Sequence, residues 1–507
     1  MKRNSHEREG VGQLIRRARE ARGLSQQEFA EALRTSQSAV ARMERGGQNL
    51  STALLEKIGG VLGRRVVEVT SGLDFAIHGG HPLHGKVTIN SSKNGAMGLL
   101  CASILNRGTT VLHGIPRVEE TARMKELFSS LGIAVREFGS SWEIKTPKHF
   151  SLPKANAAAA RKMRSTLMLL GALAGRKKKF VLPGAGGCAM GERTNIAHVR
   201  GLESLGLRLK ESSAGLHLDA RKARAGEVVL YEMSDTATEN VLMAAAGLPG
   251  KTVIRFAASN YMVQDVGNFL RALGVGVDGI GTATLTVDGL PEIRRDVEYF
   301  NSEDPTEAMF FLSIAAVTHS RLTLRRCPID FLELELVRLR EMGLRFKTGR
   351  RYRSDNNITD LVDIDVFPSA LKAPPVKIHA QPYPGINTDN LPFFAPIATQ
   401  AAGTTLIHDW MWENRAIYFT ELNRLGAKVR LADPHRVFIE GPTELSAAQV
   451  VCPPALRPAT IILVAMLAAE GTSILRNVYS INRGYEDIVA RLNRLGAKIE
   501  ILSGIAA

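Results

Sequence analysis

A single dipeptide recurs along the chain at a nearly constant spacing. Six helix-like segments end in Leu-Gly or Met-Gly and are followed by a short apolar run, at Leu131, Leu205, Leu273, Met342, Leu425 and Leu495. The intervals between them are 68 to 83 residues. A glycine just after a helix can adopt the left-handed conformation that turns the chain into a strand. This internal repeat predicts six mixed α/β units and makes a solenoid the weaker interpretation.

Turn-and-strand segments that precede several of these helices support the same architecture. "GTTVLHG", "GKTVIRF", "GTTLIHD" and "GTSILRN" each combine a turn with an apolar strand. Each unit therefore alternates strands and helices. We expect the six units to form two lobes of three, with a site for a small ligand in the cleft between them.

Residues 11–63 read as a compact helical unit. "SQQEFAEAL" begins with Ser25 and carries Glu28 three residues later, which is a capping box, and "SQSAVARME" begins with Ser36 in a similar way. Two short helices joined by a tight turn predict a helix-turn-helix motif, although a plain helical bundle would show the same periodicity. The whole segment resembles the Cro/repressor helix-turn-helix family.

Polar residues of this unit indicate how it would bind DNA. Gln37, Ser38 and Arg42 should point outward, and Gln and Arg can each form two hydrogen bonds with a base edge. Gln26 lies at a helix start, where it could hold a phosphate. Repressors of this type usually bind as dimers, so we expect a homodimer on double-stranded DNA.

The charge balance agrees with anionic partners. The 507-residue chain has a formal net charge of +15, and the excess is spread along the chain, which favours several anion sites over one basic arm. Its four cysteines form no CxxC pair, so a zinc site is not expected. No apolar run follows the charged N-terminus, and no stretch approaches the roughly 20 residues that span a bilayer. We expect a reduced, cytoplasmic protein with no membrane partner.

One cysteine stands apart from the other three. Cys101, Cys327 and Cys452 have apolar or strand-like neighbours and should be buried. Cys188 lies in "VLPGAGGCAMGERTNIAH", among glycines and five residues before Arg193. A nearby arginine favours the thiolate and makes a thiol more reactive. These residues alone do not distinguish a reactive thiol from an inert loop cysteine.

Several cations and one acid are further candidates for a site that binds anions. Lys93 and Asn94 follow the strand "KVTIN" at a helix start, where phosphates and carboxylates bind well. The other cations are Arg164, Arg415, Arg457 and Arg483. Asp389 lies in "YPGINTDN", where a turn would expose it. Taken singly, such residues are more often surface charges or caps.

Together these segments resemble one family. From about residue 76 onward the chain is similar to the enolpyruvyl transferases, in particular to those that act on UDP-N-acetylglucosamine, through "GGHPLHGKVTINSSKNGAM", "GGCAMGERTNIAHVRGLESLG", "TATENVLMAAA" and "NRGYEDIVARLNRLGAKI". The resemblance implies a two-lobed inside-out α/β barrel of six repeated units. It also implies a first lobe over 71–92 and 302–507 and a second lobe over 93–301 that carries the cysteine loop. We expect the helix-turn-helix domain to cover 1–70.

The resemblance also implies a reaction and roles in it. The enolpyruvyl group of phosphoenolpyruvate would move to the 3-hydroxyl of UDP-N-acetylglucosamine, by addition and elimination through a tetrahedral ketal, with release of phosphate, in peptidoglycan synthesis. Cys188 would be the general acid, Asp389 would take the hydroxyl proton, and Lys93 would be the catalytic lysine. Substrate-binding roles fall on Asn94, Arg164, Arg193, Ser234, Arg415, Arg457 and Arg483. No metal and no other cofactor is required.

The part that would bind the nucleotide departs from the family pattern. Glu232 stands where the family has a lysine and Asp235 adds a second acid, and two carboxylates should repel a diphosphate. Other replacements are Thr194 for a proline, and Ile196, Ala455 and Asn482 for aspartates. Two alternatives therefore stay open: transfer to a different nucleotide acceptor, or a transcriptional regulator that senses a cell-wall precursor without turnover. Retention of Lys93, Cys188, Arg193, Asp389 and Arg483 argues against the second.

Overall fold

The structure is a computed structural model. It describes residues 15–16, 19–20, 22–44, 54, 57–58, 61, 73–152, 155–184, 186, 195–212 and 215–503. Cys188, Arg193 and Thr194 lie outside the described residues. The chain divides into two units, one formed by Met1–Asp74 with Ile501–Ala507 and the other by Phe75–Glu500.

The described residues contain short helices and strands in regular alternation. The strands are β1 (Leu73–Gly79), β2 (His84–Thr88), β3 (Thr109–His113), β4 (Ala134–Phe138), β5 (Ser141–Lys145), β6 (Lys179–Leu182), β7 (Arg208–Ser212), β8 (Gly215–Asp219), β9 (Glu227–Val229), β10 (Gly250–Arg255), β11 (Gly276–Asp278), β12 (Thr284–Gly289), β13 (Val297–Phe300), β14 (Arg321–Pro328), β15 (Arg345–Thr348), β16 (Tyr352–Arg353), β17 (Asp360–Phe367), β18 (Ile378–His379), β19 (Gly403–His408), β20 (Lys428–Asp433), β21 (Arg436–Gly441), β22 (Gln449–Val451), β23 (Gly471–Arg476) and β24 (Lys498–Ser503). The α-helices are α1 (Gln26–Ala32), α2 (Gln37–Glu44), α3 (Lys93–Ser103), α4 (Glu119–Leu131), α5 (Ala157–Ala160), α6 (Leu169–Ala174), α7 (Ile196–Ser204), α8 (Asp235–Ala246), α9 (Tyr261–Ala272), α10 (Pro305–Val317), α11 (Glu333–Glu341), α12 (Phe394–Thr399), α13 (Leu456–Ala468), α14 (Tyr479–Asn482) and α15 (Ile488–Arg494). Four 3-10 helices cover Arg164–Met168, Ile329–Phe331, Leu391–Phe393 and Arg415–Leu425. None of the helices in these ranges combines the length and the apolar character that crossing a membrane requires.

The N-terminal unit has the predicted pair of helices. The Ser25 hydroxyl accepts a hydrogen bond from the Glu28 amide, and the Glu28 carboxylate accepts one from the Ser25 amide, so the capping box at the start of α1 is confirmed. Phe29 and Val40 are fully buried and bring α1 and α2 together. Most residues after Glu44 in this unit lie outside the described residues.

The larger unit has six small sheets and two hydrophobic cores, which confirms the predicted two-lobed α/β barrel. In the first lobe the strand orders are β22-β23-β1-β24, β15-β17-β14-β2 and β18-β19-β21-β20. In the second lobe they are β13-β3-β5-β4, β6-β8-β7 and β11-β12-β10-β9. The residue boundaries expected for the lobes and for the helix-turn-helix domain stay a prediction.

The helices lie inside and the sheets outside. All thirteen residues of α10 are buried, as are eleven of the thirteen in α13 and ten of the twelve in α8. A helix that is apolar on every side can be stable in water only when other elements surround it. The strands, by contrast, alternate buried residues with partly or fully exposed ones, as in β5 and β23. Their exposed faces therefore form the outer surface of each lobe.

Two neighbouring chain segments, 90–92 and 300–304, connect the lobes. The Asn301 amide Nδ2 donates to the carbonyl oxygens of Ser92 at 2.7 Å and of Gly114 at 3.0 Å. These bonds tie one connecting segment to the other directly before α3. The start of α3 is thereby fixed at the junction of the lobes.

The six repeat glycines have the conformation that the sequence predicts. Their φ angles are 80° to 97°, at Gly132, Gly206, Gly274, Gly343, Gly426 and Gly496. Each follows a helix and precedes a strand or a short extended segment. The local backbone requirement of the repeat is therefore confirmed in all six units.

Two of these glycines differ in their surroundings and give a matched test. At Gly132 an added Cβ would have no neighbour closer than 3.8 Å, whereas at Gly206 it would lie 2.6 Å from the carbonyl oxygen of Lys222. Gly132→Ala should cost about 1–2 kcal/mol, the strain of a left-handed alanine. Gly206→Ala should lower the thermal midpoint further, because backbone must also move. An equal or smaller effect at Gly206 would contradict this packing.

Candidate functional site

Lys93 is the first residue of α3, and the turn before it fixes its position. The Ser92 hydroxyl accepts a hydrogen bond from the Gly95 amide at 3.2 Å and donates to the Tyr261 hydroxyl at 2.9 Å. Lys93 and Asn94 themselves are partly buried. The ammonium group thus adds its charge to the positive end of the helix dipole, which favours an anion at this point.

Glu120, at the start of α4, bridges Lys93 and an arginine of the other lobe. Lys93 Nζ donates to Glu120 Oε2, and Arg483 Nη2 donates to Glu120 Oε1 at 2.9 Å. The side chains of Lys93, Glu120 and Arg483 are 16%, 11% and 14% exposed. Burial opposes ionisation of Glu120, but the two cations outweigh burial and lower its pKa. This ionic triad joins the lobes across the cleft.

Asp389 faces two arginines. Arg457 Nη2 donates to Asp389 Oδ2 at 3.1 Å, and Arg415 Nη1 lies 4.0 Å from Oδ1. Burial opposes ionisation here too, but the charges of Arg457 and Arg415 outweigh it and lower the pKa of Asp389 to about 2. Asp389 lies in a turn, as predicted, but its side chain is only 26% exposed because it pairs with Arg457, which is 68 positions away in the sequence.

Arg415 is fully buried, and one nitrogen of its guanidinium has no hydrogen-bond partner among the described residues. Its Nε and Nη2 donate to the carboxylate of Asp409, and Nη2 also donates to the Thr388 carbonyl at 2.7 Å. Its Nη1 is buried and makes no hydrogen bond to any described residue. A buried donor without an acceptor costs about 1–3 kcal/mol. An oxygen atom of a bound anion near Asp389 would remove that cost.

The remaining predicted site residues belong to the second lobe or lie outside the described residues. Burial lowers the pKa of Arg164 and the charge of Glu232 opposes this, so these two groups interact. Ser234 is the N-cap of α8, and its hydroxyl accepts from the Ala237 amide at 3.4 Å. The structure thus brings Lys93, Asp389, Arg415, Arg457 and Arg483 into one cleft. Cys188 and Arg193 lie outside the described residues.

In the helix-turn-helix unit, Gln37, Ser38 and Arg42 are exposed on α2, as predicted. Gln26 has a partner within the unit, because its Nε2 donates to Glu44 Oε2 at 2.8 Å. Glu44 also accepts from Arg19 Nε at 2.6 Å in a buried ion pair. Gln26 therefore helps to fix α1 against α2, and its contact with a phosphate stays a prediction.

Comparison with known proteins identifies the larger unit. A family model described as EPSP synthase (3-phosphoshikimate 1-carboxyvinyltransferase) matches residues 77–503, which is most of the chain. The chain belongs to the enolpyruvyl transferase family. The coarse activity follows from the family: transfer of an enolpyruvyl group from phosphoenolpyruvate. A helix-turn-helix model matches residues 15–69 of the same transferase.

Individual relatives agree with this assignment. The UDP-N-acetylglucosamine 1-carboxyvinyltransferase of Gloeobacter violaceus is 34% identical over 84% of this chain and 89% of its own. The solved structure of the enolpyruvyl transferase NikO from Streptomyces tendae has a TM-score of 0.75 at 23% identity, over 85% of this chain and 99% of that one. An EPSP synthase from Acinetobacter baumannii has a TM-score of 0.67 at 18% identity, over 85% and 100%. The two structures confirm the fold.

The departures from the family pattern have visible consequences in this transferase. Asp235 accepts a hydrogen bond from Asn260 Nδ2 at 3.1 Å. Burial raises the pKa of Asp235 to about 6, and the charge of Asp389 adds to the rise while the Asn260 bond opposes it. Ala455 is fully buried and provides no side-chain cap for α13. Ile196 is 38% exposed.

Three residues of the site carry no signal in the sequence. Glu120 is one of two acids in the first turn of an amphipathic helix, where an acid usually only complements the dipole. Asp409 precedes its partner Arg415 by six residues, a spacing typical of no regular element. The Tyr485 hydroxyl accepts from Arg457 Nη1 at 3.1 Å, across 28 residues of chain. Only the fold reveals these pairs.

The charge of Asp389 can be tested through the pH dependence of stability. Its pKa is depressed, so its contribution should be complete above the unfolded value of about 3.9 and disappear as the pH falls towards 2. Asp389→Asn leaves two buried arginines without this charge and should cost about 3 kcal/mol at pH 7. We expect the difference in thermal midpoint from wild type to be constant from pH 7 to 5 and to shrink below pH 4.

Asp433→Asn is the matched control for this measurement. Asp433 also accepts from an arginine, Arg436 Nε at 2.6 Å, but Arg436 is 53% exposed. Exposed ion pairs contribute little, so this variant should unfold nearly as wild type does. A smaller effect at Asp389 than at Asp433 would contradict the proposed electrostatics.

Proposed function

We propose that the protein transfers the enolpyruvyl group of phosphoenolpyruvate to the 3-hydroxyl of UDP-N-acetylglucosamine and releases phosphate, in peptidoglycan precursor synthesis. The observation that carries the proposal is the convergence of two charge clusters on one cleft, Lys93–Glu120–Arg483 and Asp389–Arg457–Arg415. UDP-N-acetylglucosamine as the acceptor is supported by a relative, the UDP-N-acetylglucosamine 1-carboxyvinyltransferase that is 34% identical to this chain. We further propose that the N-terminal unit binds double-stranded DNA as a homodimer.

The cations of the cleft suit phosphoenolpyruvate. This molecule carries a phosphate and a carboxylate, and arginines bind both groups through pairs of parallel hydrogen bonds. Arg457 and Arg483 each use part of their guanidinium on a carboxylate, and Arg415 Nη1 has no hydrogen-bond partner among the described residues. A bound anion of this kind would balance these charges in a site of low dielectric constant, where fixed cations act most strongly.

Asp389 is the group that would take the acceptor proton. In the addition step the hydroxyl oxygen bonds to C2 of the enolpyruvyl group, its proton passes to Asp389, and Cys188 gives a proton to the methylene carbon. In the elimination step the bond from C2 to the phosphate oxygen breaks, the methyl carbon returns a proton to the Cys188 thiolate to restore the double bond, and Asp389 gives its proton to the departing phosphate. Phosphoenolpyruvate would share the charges of Arg457 and Arg415, which would raise the basicity of Asp389 when the substrate is present.

A second candidate is the same transfer to a different nucleotide acceptor. Glu232 interacts with Arg164, and Asp235 lies within electrostatic reach of Asp389. A diphosphate placed between these groups would be repelled by the two carboxylates Glu232 and Asp235. This repulsion favours an acceptor that carries fewer negative charges than a diphosphate.

A panel of acceptors distinguishes the candidates. Phosphate release from phosphoenolpyruvate should depend on an added acceptor, with UDP-N-acetylglucosamine giving the highest kcat/KM among sugar nucleotides and nucleoside monophosphates. Asp389→Asn should lower kcat by about 10² to 10⁴, as expected for loss of a general base. A monophosphate as the best acceptor would favour the second candidate. Release with no compound, while substrate binding persists, would favour a regulator that senses without turnover.

The DNA-binding proposal has its own test. Arg42 is exposed on α2, so Arg42→Ala should not disturb folding. We expect weaker binding of double-stranded DNA with transferase activity unchanged, because the two activities reside in different units. Glu31→Ala, which also replaces an exposed side chain of this unit, is the control and should bind DNA at least as well as wild type. Equal losses of both activities in Arg42→Ala would contradict separate modules.

A further inference from the structure

A compact group of cations lies at one end of the second lobe. Arg107, Lys145, Arg294 and Arg295 line a cavity of about 450 Å³, together with the acid Asp296. All four cations are exposed. They come from three separate parts of the chain, so the fold and not the sequence brings them together. We call these four residues the basic end.

A buried asparagine holds the basic end in place. Asn106 is fully buried, and its Nδ2 donates to the Arg295 carbonyl at 2.7 Å while its Oδ1 accepts from the Arg295 amide at 3.0 Å. The same oxygen accepts from the Gly108 amide at 3.0 Å. These bonds involve only backbone atoms of Arg295. Its backbone is thus fixed without its guanidinium, which lies against Gly274 and is still exposed.

Arg176 adds a further positive charge close to the basic end. Arg176 Nη1 donates to the Ile104 carbonyl at 2.6 Å and Nη2 to the Pro147 carbonyl at 2.9 Å. Burial, followed by the charge of Arg107, lowers the pKa of Arg176 to about 10. Like charges at this proximity repel one another, so an anion that reached them would be attracted.

Carboxylates offset only part of this charge. Arg107 pairs with Glu292 at 3.2 Å, and both side chains are well exposed. Lys145 Nζ lies 3.5 Å from Glu143. Within the part of the chain that the structure describes, neither Arg294 nor Arg295 has a carboxylate at ion-pair distance. Exposed pairs of this kind are weak and exchange readily for another anion.

The basic end is separate from the catalytic cleft. Lys93 starts α3, and Arg107 follows the other end of this 11-residue helix. The helix is about 16 Å long at 1.5 Å per residue. The cations of the basic end therefore do not contact the group that Lys93 binds, and they require a different partner.

We infer that the basic end binds the phosphate backbone of DNA. This rests on the proposed DNA binding of the helix-turn-helix unit, and adds contacts made by the transferase part. Exposed cations spread over several segments suit a polyanion, which carries one charge per about 1.7 Å of its axis. A small phosphorylated ligand would need donors that enclose it, and these four are exposed. A membrane surface would need apolar side chains among the cations, and the lining of this cavity has none.

The test is the salt dependence of DNA binding by the full chain. The probe is a mixed-sequence duplex of about 40 base pairs, and the variant is Arg294→Gln with Arg295→Gln. The slope of log K against log salt should become less steep by about 0.9 for each phosphate that the variant no longer neutralises. Transferase activity and thermal midpoint should not change, because both side chains are exposed and distant from the cleft.

The matched control is Lys347→Gln with Arg350→Gln. Both residues are exposed and belong to the first lobe. The control removes two positive charges, as the Arg294/Arg295 variant does, so the change in net charge is the same. A slope equal to wild type in the Arg294/Arg295 variant, or an equal change in the control, would overturn the inference while DNA binding by the helix-turn-helix unit stood. Loss of binding to phosphatidylglycerol vesicles instead of DNA would also overturn it. A wild-type chain that binds no duplex at low salt would refute both proposals, and the Arg42→Ala variant tells the two contributions apart.

Discussion

The cleft depends on an arrangement in which four cations face three carboxylates, since Asp409 also binds Arg415. Lys93 and Arg483 meet at Glu120, and Arg457 and Arg415 lie against Asp389. Buried charges are tolerated only when they are paired, so each carboxylate makes its cations possible. Four cations against three carboxylates leave an excess of one positive charge. The cleft therefore keeps an excess of positive charge that attracts a small anion, and the proposed substrate binding and the proposed role of Asp389 both depend on this excess.

The sequence predicts well those features that depend on neighbours along the chain. The six glycines and the Ser25 cap are local backbone requirements, and all of them are confirmed. The repeat also predicts six sheets in two lobes, because one α/β unit cannot bury both of its surfaces alone. The burial of Cys101, Cys327 and Cys452 is confirmed as well, since apolar neighbours of a cysteine indicate a core position.

Ion pairs between distant segments are what the sequence does not predict. The bond between Glu120 and Arg483 joins residues 363 positions apart. The Pro, Gly and Asn neighbours of Asp389 predict an exposed turn, yet Arg457, 68 positions away, makes it a paired and partly buried acid. A local pattern records the conformation of the backbone but not which charge another lobe brings to it. The resemblance to a family supplies these roles, whereas composition and spacing cannot.

The cations of the chain fall into two groups, which differ in how strongly dissolved salt screens them. Those of the cleft are largely buried and face carboxylates, so salt in solution screens them only weakly. Those of the basic end are exposed, so dissolved salt screens their attraction for an anion. The screening length is about 8–10 Å near physiological ionic strength, and the attraction weakens steeply as ionic strength rises. Ionic strength can therefore change the binding of a polyanion with little effect on the binding of a small anion in the cleft. A chain with both kinds of cation can hold two anionic partners under separate control, without any contact between the two sites.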